Sequence, residues 1–230
     1  MKLKIAFLST MVGCAVTSNA ALVVFSGNDA GANSTDPRPI SIATAAAFDA
    51  AVVGLGTTTL IDFESAPLGS FSSLVIAPGV TLTGLDFNSG NQTILNSAFG
   101  TPDNLFGYNT TTGGSHFASF FGGTMTLTFA SPVNSFGAYF AGVQNFSTNT
   151  IFFNDGTSQV VNFVQGSDTV GGVQFLGFTD AGKSISSITI DGASDIISMD
   201  DIRITSAVPE PASIAAIGLG LVCLIRRRRK

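Results

Sequence analysis

The sequence predicts a mostly β protein, an antiparallel β-sandwich of jelly-roll type with one short N-terminal helix. Three observations carry this. Between residues 58 and 204, apolar and polar residues alternate through ten short runs. Gly, Asn, Asp and Pro separate those runs at close intervals. The 230 residues include 20 Phe and 26 Gly but no Trp, so the core material is one that buries without needing a hydrogen-bond partner.

Residues 1–20, MKLKIAFLSTMVGCAVTSNA, place Lys2 and Lys4 before an apolar stretch and end in Ser18-Asn19-Ala20. That is the pattern of a secretory signal peptide, read as a helix cut after Ala20. Met11-Val12-Gly13-Cys14 approaches a bacterial lipoprotein box, with methionine where leucine is usual.

Residues 21–56 follow as a leader and a helix. The polar stretch 26–41, broken by Gly and Pro, reads as a loop, and the Ala-rich stretch 43–56 reads as about three helical turns closed by Gly54 and Gly56. Residues 57–206 form the sandwich. Its strands are expected at 58–64, 80–87, 116–121, 124–130 and 134–141, then at 149–154, 158–164, 173–179, 185–191 and 197–204. Asn154-Asp155-Gly156 marks a hairpin between two alternating runs. In TMTLTF, Met125, Leu127 and Phe129 share one face, and Thr124, Thr126 and Thr128 share the other.

Both cysteines, Cys14 and Cys223, lie in the terminal segments, so the body holds no intramolecular disulfide. Residues 21–207 carry fourteen acids against Arg38, Lys183 and Arg203, a formal charge of −11 that the basic ends hide in the whole-chain value of −5. Such a body repels nucleic acid and anionic lipid.

The last segment is residues 207–230. Ala212 to Ile225 is apolar or small throughout. As a helix at about 1.5 Å per residue it spans roughly 21 Å, short of a hydrocarbon core of about 30 Å. This predicts a weak transmembrane helix, with Arg226, Arg227, Arg228, Arg229 and Lys230 fixing the C-terminus in the cytoplasm.

Val208-Pro209-Glu210-Pro211-Ala212, the short apolar helix and the Arg cluster together resemble the PEP-CTERM sorting signal of Gram-negative bacteria. The resemblance implies recognition of Pro209, Glu210 and Pro211 by an integral-membrane exosortase, a cysteine transpeptidase-like enzyme. It also implies export, a transient inner-membrane intermediate, and a final place at the cell surface or in the extracellular matrix, in company with exopolysaccharide and biofilm. The body is similar to galactose-binding-like jelly rolls found upstream of such tails, through Phe63-Glu64, residues 131–140 and residues 199–204. In related modules an acid after Phe on the first strand and an acid on the last strand hold a structural Ca²⁺. Carried over, these are Glu64 and Asp200.

The residues themselves gather Asp62 and Glu64 on the first strand with Asp200 and Asp201 on the last. By parity Asp200 shares a face with Ile202 and Ile204 and points inward, where oxygen ligation of calcium would satisfy it. The plainer readings are solvated edge carboxylates, or Asp201 paired with Arg203. His116 is the one histidine, beside Ser115 and Ser119 but without a nucleophile elbow, and no enzyme activity is expected. Tyr108, in a Gly/Thr/Asn loop, is the candidate for an exposed sugar platform, and Tyr139 is expected in the core. Ice binding would need a regular Thr array, and the sequence shows one short row. The expectation is a secreted surface or matrix protein with a structural or binding role; the alternative is a carbohydrate-binding module for the cell's own exopolysaccharide.

Overall fold

Two long strands organise the chain. The computed structural model describes residues 22–206 except 87, 89, 99–105, 145–147, 165–170 and 180–181. Its elements are β1 (Val23–Ala30), α1 (Pro39–Val52), β2 (Thr57–Ile61), β3 (Gly69–Phe71), β4 (Ser73–Ala77) and β5 (Val80–Leu85). There follow β6 (Gln92–Leu95), β7 (Phe117–Ala141), β8 (Thr148–Phe153), β9 (Ser158–Asn162), β10 (Gly172–Thr179) and β11 (Ile185–Ser206). The three runs expected between 116 and 141 are one strand, β7, and the two expected between 185 and 204 are one strand, β11. Gly122 and Gly123, at φ 66° and 69°, let β7 turn without leaving the sheet, where the sequence suggested a break.

β7 and β11 each serve two layers. From Ser187 to Met199 the partners on β7 fall from Thr128 to Ala118; from Ser198 to Ser206 they fall from Ala141 to Val133. Both stretches are therefore antiparallel. The first layer runs β4-β5-β7-β11-β8-β9, using the N-terminal halves of the two long strands. The second runs β2-β11-β7-β10-β1, using their C-terminal halves. β6 extends the start of β7 and carries β3.

Period-two alternation decides what lies between the layers. Leu82, Met125, Leu127, Ile151, Ile188 and Ile190 point in from the first layer, and Phe136, Leu176, Phe178, Ile202 and Ile204 from the second. Phe136 and Phe178 stack across the β7–β10 pair with centroids 5.3 Å apart.

The outer face of the second layer is covered by α1, so β10 is buried along its whole length. Ala45, Phe48 and Val52 pack on Tyr139, Val173 and Phe175 in a smaller core that also holds Tyr108. Phe48 sits over Gly137 and Gly177, which are paired across β7 and β10. A Cβ at Gly137 would lie 2.6 Å from the Phe175 ring, and one at Gly177 2.8 Å from the Phe48 ring. The two glycines form the hollow that receives the helix.

Residues 26–41, expected as a loop, instead supply most of β1, which pairs with β10 over eight positions. The strand-poor residues that hid it have tertiary jobs. Gly27 leaves room for Thr44 of α1. Asp29 caps the helix from outside it: Oδ1 accepts from the Ile40 amide at 3.0 Å and Oδ2 from the Ser41 amide at 2.7 Å. Arg203 ties the helix down further, with its Nε 3.2 Å from Asp49 and its guanidinium 5.4 Å and 5.5 Å from the Tyr139 and Phe175 ring centres.

The outer face of the first layer carries no such cover among the described residues. Register aligns Ser73, Thr83, Thr126, Thr189, Thr150 and Val160 in one cross-strand row. A second row aligns Val75, Thr81, Thr128, Ser187, Phe152 and Ser158. The sequence showed only the Thr residues of β7; the pairing multiplies them.

Candidate functional site

Three of the four acids singled out in the sequence, Glu64, Asp200 and Asp201, converge on one loop, residues 106–116, which enters β7. Asp62, just past β2, accepts from the Glu64 amide at 3.2 Å. Phe63 between them is buried at φ 60°, a left-handed conformation that costs a bulky residue on the order of 1–3 kcal/mol. Glu64 Oε1 then accepts from Asn109 Nδ2 at 3.1 Å, the Ser115 amide at 2.7 Å and the His116 amide at 2.9 Å. Gly114 has no room for a Cβ against that carboxylate.

From the other side, Asp200 Oδ2 accepts from the Thr110 and Thr111 amides at 2.7 and 3.1 Å and from the Thr110 hydroxyl at 3.2 Å. Its Oδ1 accepts from the Asp201 amide at 2.8 Å. Asp201 Oδ1 accepts from the Thr111 hydroxyl at 2.8 Å. A β-bulge makes this double contact: Asp201 and Ile202 together stand between the partners of Asp200 and Arg203, which are Tyr139 and Gly137. Asp201 adopts φ 49°, which Asp tolerates better than most residues.

The bulge corrects the parity expectation for Asp200. Met199 before it and Ile202 after it both face the main core. Asp200 instead shares the opposite face with Ser198, whose Oγ accepts from the Tyr108 amide at 3.2 Å. Asp200 is 1 % exposed, and burial pushes its carboxyl up to about 7; the neighbouring Asp201 charge adds to the rise, and the Thr110, Asp201 and Thr111 amides oppose it.

The oxygens expected to hold calcium accept hydrogen bonds from the loop. Glu64 and Asp200 reach the same loop at neighbouring residues, Asn109 and Thr110, and the oxygens described there accept from N–H and O–H groups. A hard cation needs those lone pairs turned to itself, with six to eight oxygens around it. Among the described residues no three acids, histidines or cysteines are grouped as a metal site. Arg203 contacts the Asp201 carbonyl at 2.8 Å, in place of the expected pairing with its carboxylate.

Tyr108 is not an exposed platform. It is 2 % exposed, and its hydroxyl donates to the Ala32 carbonyl at 2.7 Å. Burial raises its phenol well above the usual range. It anchors the loop to the segment after β1. Tyr139 lies in the smaller core as expected. His116 Nδ1 sits 3.2 Å from the Ala66 carbonyl. Beside the loop a polar cleft of about 470 Å³ is lined by Ser34, Arg38, Asn109, Thr110, Thr111 and Ser115. Its groups suit hydrogen bonding to a small polar ligand. Sequence reasoning missed Asn109, Thr110, Thr111 and Ser198; the signal that could have found the first three is the aperiodic polar run 107–116 in a chain of alternating strands, and nothing in the sequence marks Ser198.

The sorting residues Pro209, Glu210 and Pro211, the basic residues Arg226 to Lys230, the span 212–225, the signal segment and Cys14 lie outside the described residues. Among the described ones no helix is long and apolar enough to cross a membrane.

No curated protein matches this chain. Solved structures similar to it include a family 29 carbohydrate-binding module from Piromyces equi, at 11 % identity over 66 % of this chain and 91 % of that one, TM-score 0.38. The module TmCBM61, solved with β-1,4-galactotriose, is similar at 14 % identity over 64 % and 94 %, TM-score 0.40. An exo-β-1,3-galactanase from Phanerochaete chrysosporium is similar at 20 % identity over 65 % of this chain and 29 % of that one, TM-score 0.32. Residues 207–230 match the PEP-CTERM protein-sorting motif, so the chain carries that motif behind a β-sandwich body.

Proposed function

We propose that this is an exported protein handed through its tail to an exosortase, and that its body serves at the cell surface or in the matrix as a non-catalytic structural or binding unit associated with exopolysaccharide. The carrying observation is the motif at 207–230, beginning one residue after β11 ends. The body's −11 charge supports the reading, because such a surface stays soluble among hydrated neutral sugars and away from nucleic acid. The test is fractionation of cells making the full chain or a chain stopped at Ser206, with mass spectrometry of the mature C-terminus. The full chain should be recovered outside the cytosol with its basic end removed. An intact tail in the cytosol would overturn the reading.

A second reading makes the body a carbohydrate-binding module for that polysaccharide. It loses Tyr108 as its platform, and the observation in its favour is the hydroxyl-rich outer face of the first layer.

A further inference from the structure

We propose that the two cross-strand rows on the outer face of the first layer are a docking surface for an extended, neutral polysaccharide chain. The inference rests on the binding reading above and gives it a location and a ligand class.

Of the twelve aligned positions, nine carry a hydroxyl, three are apolar and none is charged. That is a marked departure for a body of charge −11. The rows are ordered: the Thr126 and Thr189 hydroxyls lie 2.9 Å apart, and the Thr83 hydroxyl reaches the Thr126 carbonyl at 3.4 Å. Strands about 4.8 Å apart with same-face residues about 6.8 Å apart make a grid of donors and acceptors.

A second observation points to sugar. Phe152 stands in the second row next to Ser187, 39 % exposed, and Val75 and Val160 are 69 % and 58 % exposed on the flanking strands. Leaving a Phe in water on a sheet face forfeits its burial. A pyranose ring offers the matching chemistry: C–H faces for the aromatic ring and hydroxyls for the Thr and Ser rows.

Charge selects the class. An anionic polymer is repelled by the body, and a cationic one finds no carboxylate within the rows. Shape argues against ice, since adjacent strands rotate by roughly 20–25°, and six of them turn the rows away from a flat lattice. A glycan chain can follow that twist.

The test uses the mature exported protein in pull-downs with insoluble cellulose, amylose, β-1,3-glucan and galactan, with alginate as the anionic polymer. Retention is expected on at least one neutral polymer. It should fall about tenfold in Phe152→Ala and in Thr126→Val/Thr189→Val, both melting with the parent, and stay unchanged in Arg38→Gln beside the loop cleft. A melting-temperature match keeps the comparison free of misfolding, and Phe152→Leu, which keeps the apolar bulk but not the ring, should lose retention too. The proposal is overturned by no retention on any neutral polymer, by retention on alginate alone, by ice shaping without retention, or by loss in Arg38→Gln with the face variants unaffected. Mass spectrometry of the C-terminus in the same preparation judges the sorting reading independently.

Discussion

The amide of Thr110 donates to Asp200 Oδ2 at 2.7 Å, joining a loop to the last strand across 90 residues of sequence. The contact fixes the loop entering β7 to the bulge in β11, in a place water barely reaches.

That burial makes Asp200 a source of pH dependence. Its folded value of about 7 exceeds the unfolded value near 3.8, so the folded state holds the proton more tightly. Its contribution is fully present below about pH 4 and is lost as pH rises through 7. At about 1.4 kcal/mol per unit the loss is on the order of 4 kcal/mol. Urea unfolding should show stability falling between about pH 4 and 7 and levelling off above, and Asp200→Asn should flatten that slope. It should also raise amide exchange at Thr110 and Thr111.

Chelation should leave the body unmoved. Because N–H and O–H donors fill the clamp, neither EDTA nor millimolar Ca²⁺ is expected to shift the melting temperature. A shift of several degrees on adding calcium would show oxygen ligation and overturn this expectation.

Filling the hollow under Phe48 should loosen the helix. Gly177→Ala should cost roughly 1–3 kcal/mol by overpacking, and Phe48→Ala roughly 3–5 kcal/mol by leaving the hollow empty. Denaturant midpoints measure both. A neutral Gly177→Ala would show that α1 rides on the sheet without interlocking.

Removing the remote cap should be felt in the helix. Asp29→Ala frees the Ile40 and Ser41 amides and should cost about 1–2 kcal/mol, with faster exchange in the first turn of α1. Asp29→Asn should retain part of the effect, since one acceptor oxygen remains.

The strands with local alternation were readable from sequence, as were the Asn154-Asp155-Gly156 hairpin and the Phe core. In the hairpin, the Gly156 amide closes on the Phe153 carbonyl at 3.1 Å with Gly156 at φ 82°. β1 was not readable, because Gly27 and Asp29 answer to α1 and carry no strand preference. The inward parity assigned to Asp200 failed at a single bulge, which no period-two count can see. The loop clamp escaped because Thr110 and Asp200 meet only in space, and the hydroxyl rows because their members come from separate strands. Asp62, Glu64, Asp200 and Asp201 were found, since acids on otherwise apolar strands stand out; their partners were not.

The second layer depends on the C-terminal half of β11, which ends at Ser206, directly before the sorting motif at 207. Translocation order then matters. The second layer cannot be completed until the end of β11 has emerged, just ahead of the sorting motif. Completion of the fold and emergence of the sorting motif are thus nearly simultaneous.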